Sequence, residues 1–413
     1  SLHCVNLDDK YNLFMLFNRT HFYYLCFMSK INLVGQKDLI KELGLKSSSG
    51  RLAHSYLITG PLGSGKLSLA IKFAEKILCA KHNEEDLSFI GCQQRVNSLS
   101  HPDLHFVYPV NTNARVKSKA TSKHFTKEWR ESVIKNPYLN LSQWLDKIEI
   151  ANKQGNISVN EAEDINKIMS LKSYEGGSKV MIIWMAEKMN TECANKLLKL
   201  IEEPSPKTVF ILLTENQSSI LPTIKSRCQN ISTNPLEKKE VAEALIKDCG
   251  IDSEIANKIA NQCGGNYSLA LEVLSSESNI VDFENLFIDW VRLAFKVKTS
   301  KQAVGELINW GDNISKLPKE LQKQFFSFSL GLFRKSLLSN YKSEVYSGTF
   351  SDQGFKFEKF SPFIHDNNII ELYEEINKAI YELNRNGSPK IIITDLSLKL
   401  TRLIHQKPSV IDG

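Results

Sequence analysis

A glycine-rich segment at residues 60–67 is the clearest chemical feature of the sequence. It reads Gly60-Pro-Leu-Gly63-Ser-Gly65-Lys66-Leu67. It follows the phosphate-binding pattern G-x-x-x-x-G-K up to the last position, where the pattern has a Ser or Thr that holds Mg²⁺. Gly60, Gly63, Gly65 and Lys66 are therefore candidate phosphate-binding residues, through backbone N–H groups and the lysine ammonium. Because Leu67 has no hydroxyl group, the metal contact that phosphoryl transfer needs is missing.

The residues on either side of this loop predict the elements that hold it. Residues 54–59 form a short apolar run that stops at Gly60, which is typical of a buried strand. Residues 67–78 have apolar positions at helical spacing. A strand, a glycine-rich loop and a helix in this order are the structural context of a phosphate-binding loop.

Further along the chain, residues 180–185 and 209–213 predict two more buried strands, with a helix over residues 190–201 between them. Strands that alternate with helices indicate an open α/β sheet. After Pro235 the apolar positions follow helical spacing only. The sequence therefore predicts an α/β domain followed by an all-α region.

These patterns divide the chain into four parts. We expect an N-terminal extension at 1–30, an α/β domain at 31–233 with an insertion at about 111–157, a helical lid at 234–280, and a helical region at 281–413. Residues 1–27 precede Met28, and we expect them to be non-native or disordered. The polar insertion predicts one or two short helices, and Ser158 and Glu161 fit a capping box for the helix that follows.

The composition limits the classes of partner. A net charge of +6 permits nucleic acid without requiring it. The basic run at residues 115–123 could contact DNA phosphates, although such a run is also typical of a solvated loop. The eight cysteines are scattered and form no C-x-x-C pair, which predicts reduced thiols in a cytoplasmic protein.

Three further motifs accompany the glycine-rich loop in a fixed order. They are His101-Pro102-Asp103, the segment Leu198-Lys-Leu-Ile-Glu-Glu-Pro204, and Ser226-Arg227-Cys228. In this combination the chain resembles the clamp-loader branch of the AAA+ ATPases over about residues 31–280, and is most similar to its delta-prime-type subunits. The resemblance implies an AAA+ P-loop domain, a small helical lid and a C-terminal helical collar that joins subunits.

The chain departs from active members of this family at the groups that hold Mg²⁺ and activate water. Those members end the second of the predicted strands in Asp-Glu, where this chain has Trp184 and Met185. The lid arginine of the family falls at Ser268. Together with Leu67, these departures imply no metal site and no ATP hydrolysis. Glu187, just beyond the strand, is interpreted as a solvated glutamate at the start of a helix.

Many members of the family also carry four zinc-binding cysteines before the His-Pro-Asp motif. Only Cys79 and Cys92 occupy that stretch here, and structural zinc takes four ligands. His82 and His101 could complete a set, but we interpret the cysteines as free thiols and His101 as part of a local turn with Asp103.

Arg227 is the functional residue that these departures leave in place. It follows the third predicted strand, where the family places an arginine finger that acts on the nucleotide of a neighbouring subunit. A guanidinium group brings a planar, permanent charge to a phosphate. The alternative is an arginine in a surface ion pair.

The resemblance thus implies a catalytically silent, stator-like clamp-loader subunit of the replicative DNA polymerase III holoenzyme, without ATPase activity of its own. Expected partners are the gamma/tau-type ATPase and delta-type subunits, the sliding clamp and, through the complex, primer–template DNA, with no membrane. No cofactor is required, although ATP or ADP could stay bound without turnover. Two alternatives stay open: an active ATPase in which Glu187 and Ser68 replace the lost groups, and a replication or repair factor that binds DNA directly.

Overall fold

The computed structural model describes residues 31–83, 85–150, 153–275, 281–340, 355–385 and 387–407. The expectation about residues 1–27 lies outside these residues. The chain divides into two compact units, Ser1–Ser275 and Ser276–Gly413. The expected boundary after residue 280 adjoins residues 276–280, which are also outside the described set.

The first unit is built on a five-stranded parallel sheet. Its strands are β1 (Ser55–Thr59), β2 (Leu104–Val107), β3 (Lys179–Ile183), β4 (Thr208–Thr214) and β5 (Gln229–Ser232), in the order β2-β3-β4-β1-β5. β1 lies parallel to β4, with Ser55 opposite Phe210, and parallel to β5, with Tyr56 opposite Gln229. Strands β1, β3 and β4 are buried along their whole length, which explains their continuous apolar runs. The predicted α/β sheet is confirmed.

The two edge strands, β2 and β5, were not predicted. Each has only four residues, and β5 reads Gln-Asn-Ile-Ser with Ile231 as its only buried residue. A short edge strand that is exposed on one side gives neither a continuous apolar run nor a clear alternation. As a consequence, Arg227 does not directly follow the third predicted strand, β4, but lies two residues before the start of β5.

Helices cover both faces of this sheet and form the lid. In chain order they are α1 (Lys37–Ser48), α2 (Lys66–Leu78), α3 (Leu87–Asn97), α4 (Thr126–Lys135), α5 (Leu141–Lys147), α6 (Val159–Ser170), α7 (Thr191–Glu202), α8 (Pro222–Lys225), α9 (Lys238–Cys249), α10 (Ser253–Cys263) and α11 (Tyr267–Ser275). Alternate residues of β1 enter two different cores. Tyr56 packs in the core that contains Phe73 of α2, and Leu57 packs in the core that contains Leu197 of α7.

The insertion is a packed subdomain rather than a solvated loop. Its helices α4 and α5 carry Trp129 and Trp144, whose ring centroids are 5.1 Å apart. Trp129 also stacks on Tyr108 at 4.1 Å and contacts Trp184, just after β3, at 5.2 Å. The sequence predicted one or two short helices here and the structure has two, α4 and α5, whose aromatic residues anchor the insertion to the end of β3.

The predicted capping box at the start of α6 is wrong. Ser158 makes no side-chain cap hydrogen bond, and its Oγ atom has no hydrogen-bond partner among the described residues. Instead, the carboxylate of Glu161 accepts a hydrogen bond from the backbone N–H of Ser122 at 2.8 Å. Glu161 thus joins α6 to the insertion, an interaction between residues that are 39 positions apart in the chain.

The interpretation of Cys79 and Cys92 as free thiols is also wrong, because the structure joins them in a disulfide. Cys79 follows the end of α2 and Cys92 lies in α3, and both are buried. Packing of α2 against α3 brings their Cα atoms to 5.8 Å, within the usual range for a bridge. The other described cysteines, which form no disulfide among the described residues, are Cys193, Cys228, Cys249 and Cys263.

Among the described residues of the second unit, all regular secondary structure is helical, as predicted. They are α12 (Phe283–Lys296), α13 (Lys301–Ser315), α14 (Lys319–Asn340), α15 (Phe357–Phe360), α16 (Asp366–Asn384) and α17 (Pro389–Ile404). Trp290 of α12 stacks on Trp310 of α13 at 5.3 Å and donates a hydrogen bond to Ser397 of α17 at 2.9 Å. Across both units, none of the helices that the structure describes is long and apolar enough to cross a bilayer.

Candidate functional site

The glycine-rich loop lies between the carboxyl end of β1 and the first turn of α2, as the sequence predicts. Gly65 precedes α2 with φ +85°, a left-handed conformation that residues with a Cβ atom rarely adopt. Gly60, Gly63, Gly65 and Lys66 therefore come together in one loop. Residues 63–66 are all buried, so the backbone that would face a phosphate is covered.

The ammonium group of Lys66 is bound to its own loop. Its Nζ atom donates hydrogen bonds to the carbonyl oxygens of Gly60 at 2.8 Å and Pro61 at 2.6 Å. The residue is 8% exposed, and burial lowers the pKa of Lys66, an effect that the charges of Glu215 and Glu187 oppose. In this conformation Lys66 donates to backbone carbonyl groups instead of presenting its charge to a phosphate.

Residues from distant parts of the chain pack directly against the loop backbone. A Cβ atom at Gly60 would lie 2.0 Å from Oγ1 of Thr233, and one at Gly63 would lie 2.0 Å from Oδ1 of Asn266. The N–H of Tyr267, the first residue of the lid helix α11, donates to the carbonyl of Gly63 at 3.3 Å. Glycine at positions 60 and 63 thus permits the lid and the residue after β5 to close on the loop.

A short segment before α1, residues 32–36, ties the surrounding parts together; we call it the strap. The N–H of Val34 donates to the hydroxyl of Tyr138 in the insertion at 2.8 Å. The amide of Asn32 donates to Asp248 of the lid helix α9 at 2.8 and 3.0 Å. The amide of Gln36 donates to the carbonyl of Asn234 at 2.9 Å, at the start of the lid. The strap therefore connects the lid to the insertion beside the phosphate loop.

The positions at which the resemblance implies that groups for Mg²⁺ and nucleotide are missing are all buried. Leu67, Trp184 and Met185 are each buried in the apolar core of the first unit. Ser268 is buried as the second residue of α11. None of the three core side chains has an oxygen atom that could bind Mg²⁺.

The two side chains that could replace the missing groups, those of Glu187 and Ser68, are half-buried and buried, respectively. Glu187 was expected to be solvated, but it is half-buried in a 3₁₀ turn, and its Oε1 atom accepts the N–H of Glu215 at 3.1 Å. It therefore links the end of β3 to the end of β4. Ser68 is buried, and its Oγ atom has no hydrogen-bond partner among the described residues.

Arg227 lies at the opposite end of the sheet from the loop. Its carbonyl oxygen accepts a hydrogen bond from Oγ of Ser55, the first residue of β1, at 2.7 Å. The loop follows Thr59, the last residue of that strand, and four residue steps of a strand span about 13 Å. Arg227 is therefore placed away from its own phosphate loop.

The side chain of Arg227 is exposed and forms the surface ion pair that the alternative interpretation predicts. Its Nε atom lies 2.5 Å from Oε1 of Glu202, and NH1 donates to the carbonyl of Thr223 at 2.8 Å. Exposed pairs of this kind contribute about 0–1 kcal/mol. A phosphate on another molecule could therefore compete with Glu202 for the guanidinium.

The basic run in the insertion is partly neutralised. Arg115 pairs with Glu128 at 2.7 Å and lies over the ring of Phe125. Lys117, Lys119 and Lys123 remain exposed. The run thus combines a fixed arginine with three solvent-accessible lysines.

The His-Pro-Asp motif forms the predicted turn, with the N–H of Asp103 donating to Nδ1 of His101 at 3.2 Å. The carboxylate of Asp103 accepts the N–H groups of Tyr174 and Glu175 at 2.7 and 3.0 Å. Burial lowers the pKa of His101. Among the described residues no group of three or more His, Cys, Asp or Glu side chains could hold a metal ion.

Sequence reasoning missed the residues that close the loop. Thr233, Asn266, Tyr267 and Tyr138 lie far from it along the chain, and no local pattern marks them. Asn266 lies two residues before Ser268, in a segment where the sequence indicated only that the lid arginine of the family is missing.

Comparison with known proteins places this geometry in a family context. Residues 35–237 match the family model for "DNA polymerase III, delta subunit". Over about half of its length, the chain is thus similar to DNA polymerase III subunits. It is 29% identical over 238 residues to the delta-prime subunit of Bacillus subtilis DNA polymerase III, covering 58% of this chain and 59% of that protein. The Haemophilus influenzae delta-prime subunit is 28% identical over 225 residues, covering 54% and 55%.

The relatives are not confined to one subunit type. The tau subunit of Bacillus subtilis is 24% identical over 402 residues, which covers 91% of this chain and 62% of that subunit. The chain thus spans less than two-thirds of the length of each of these relatives. Among solved structures, a gamma subunit-related protein of Thermotoga maritima aligns over 90% of this chain with 15% identity and a TM-score of 0.37.

Proposed function

We propose that this protein is a delta-prime-type subunit of a bacterial clamp loader, located in the cytoplasm. In this proposal it does not hydrolyse ATP. It offers Arg227 to the nucleotide of a neighbouring gamma/tau-type ATPase subunit and helps to load the sliding clamp. Its C-terminal helices join a collar with the other subunits.

The observation that carries the proposal is a difference between the two ends of the sheet: the phosphate loop at one end is closed, and Arg227 at the other end is exposed. At one end, the phosphate loop is closed by Thr233, Asn266 and Tyr267, and Lys66 is bound to the loop carbonyls. At the other end, Arg227 is exposed, and its guanidinium is held by a surface ion pair with Glu202 and a hydrogen bond to the carbonyl of Thr223. A subunit with a closed site of its own and an accessible arginine far from it is suited to act on a neighbour.

The test is a reconstituted complex that contains this protein, the ATPase subunit, a delta-type subunit and the clamp. Arg227→Ala should leave assembly intact and lower the turnover of the ATPase site that it faces by about 10³-fold or more, the range found for arginine fingers. The KM for ATP should change less, because the charge stabilises the transition state more than bound ATP. Arg227→Lys should restore little activity, since an ammonium lacks the planar fork.

Arg115→Ala is the matched control, because Arg115 is also an exposed arginine in an ion pair of the same unit. Equal ATPase rates for Arg227→Ala, Arg115→Ala and the unmodified complex, with normal clamp loading, would reduce Arg227 to a surface ion-pair residue. The proposal would then lose its functional residue.

The second candidate is an active ATPase of the same fold, which the long match to a tau subunit favours. The positions of Ser68 and Glu187 oppose it, because one is buried and the other binds Glu215. We expect no Mg²⁺-dependent ATP hydrolysis by the isolated protein. A turnover of about 1 s⁻¹ or faster, in the ordinary range of enzymes, that Lys66→Ala abolishes would establish the second candidate instead.

A further inference from the structure

A groove lies at the same end of the sheet as Arg227, and the proposed function does not use it. It lies between the last turns of α1 and strand β5, and has a volume of about 540 Å³. Leu45, Lys46, Arg51 and Gln229 are among its lining residues. Leu45 is 70% exposed, which is unusual for a large apolar side chain at a helix end.

Arg51 differs from the other cations around this groove. Lys46 pairs with Glu42 at 2.8 Å, and Arg227 pairs with Glu202. The backbone of Arg51 is fixed, since its N–H donates to the carbonyl of Lys46 at 3.2 Å. Its guanidinium is exposed, and the residues that the structure describes offer it no ion pair or side-chain hydrogen bond.

The chain path brings Arg51 and Arg227 to neighbouring strand ends. Arg51 stands four residues before Ser55, whose Oγ atom binds the carbonyl of Arg227. Gln229, which lines the groove, stands two residues after Arg227 and pairs with Tyr56 of β1. Adjacent strands lie about 4.8 Å apart. A molecule that places phosphates at Arg227 would therefore also approach the groove.

We propose that Arg51 is a second guanidinium contact for the phosphates of the nucleotide carried by the neighbouring ATPase subunit, and that Leu45 packs against that subunit. This inference rests on the proposed function. Arginine binds phosphate through two parallel hydrogen bonds. Because Arg51 has no acidic partner to release among the described residues, it is available to phosphate without breaking an existing pair, whereas Arg227 must leave Glu202.

The experiment compares Arg51→Glu with Lys37→Glu in the full-length protein. Lys37 is exposed at the first position of α1, at the end near the phosphate loop, whereas Arg51 lies three residues after the other end of that helix. The two variants thus make the same charge change near opposite ends of α1. Association with the ATPase subunit is measured with and without a non-hydrolysable ATP analogue, and thermal unfolding confirms that both variants fold.

Arg51→Glu should weaken association with the nucleotide-loaded ATPase subunit about 10- to 100-fold, the range for loss of a charge-assisted hydrogen bond. Association with the nucleotide-free subunit should change less, and Lys37→Glu should have little effect in either state. Arg51→Lys should retain part of the affinity.

If Arg51→Glu and Lys37→Glu weaken association equally, the loss comes from the change in net charge and not from the position of Arg51, which would overturn the inference. So would a larger loss of affinity for primer–template DNA, measured with the isolated protein, because Arg51 would then contact DNA phosphates. If Arg227→Ala lowers the ATPase rate while Arg51→Glu does not change association with the ATPase subunit, the groove has no such role and the proposed function still stands. If neither variant changes the ATPase rate or the association, both proposals fail.

Discussion

Replacing Glu161 by Gln should change how the stability of this protein depends on pH. Glu161 lies in the first turn of α6 and is 3% exposed. Burial raises the pKa of Glu161 to about 7, although its hydrogen bonds with Ser122 lower it. The carboxylate that joins α6 to the insertion is therefore easier to protonate in the folded chain than in the unfolded one.

The direction of the effect follows from the two pKa values. The pKa of Glu161 is about 7 in the folded chain and 4.5 in the unfolded chain. Glu161 therefore contributes most to stability below pH 4.5, and that contribution is lost as the pH rises from 4.5 to about 7. The difference of about 2.5 units, from 4.5 to about 7, corresponds to roughly 3 kcal/mol at 1.36 kcal/mol per unit. Glu161 should therefore lower the free energy of unfolding at pH 8 by up to this amount relative to its protonated form.

Urea denaturation followed by tryptophan fluorescence between pH 5 and 8.5 measures this effect, since Trp129 and Trp144 lie in the insertion that Glu161 holds. The amide oxygen of the substituted glutamine side chain can still accept the N–H of Ser122. We expect Glu161→Gln to match the unmodified protein near pH 5 and to exceed its stability at pH 8. Glu163→Gln is the control, because Glu163 is exposed two residues further along α6. Equal pH dependence of Glu161→Gln and the unmodified protein would refute the reasoning.

Two further predictions follow from buried contacts. The purified protein should contain no stoichiometric zinc, because Cys79 and Cys92 bind each other; one zinc per chain by elemental analysis, lost in Cys92→Ser, would contradict this. Lys179→Met should lower the free energy of unfolding by roughly 1–3 kcal/mol, because buried Lys179 donates to the carbonyls of Met169 and Leu171 at the end of α6. Lys167→Met, on the exposed side of α6, should have little effect in the same denaturation experiment.

The sequence by itself determined the parts of the fold that have a local signal. The strands β1, β3 and β4 are buried on both faces, so their residues are apolar without interruption, and the helices carry apolar positions at regular spacing. The loop at residues 60–67 is specified by its own glycines and lysine. The resemblance also implies missing metal ligands at Leu67, Trp184 and Met185, because each position can be aligned from its distance to a recognisable strand or loop.

Only the tertiary structure decided the contacts between residues that are distant along the chain. Thr233 and Asn266 close the phosphate loop, Glu161 binds Ser122 instead of capping its own helix, and Cys79 pairs with Cys92 because α2 packs on α3. It also placed Arg227 and Arg51 at the same end of the sheet, about one strand length from the phosphate loop. A hydrogen bond or a packing contact depends on positions in space, and residues that are far apart along the chain leave no periodic pattern in the sequence that would reveal such a contact.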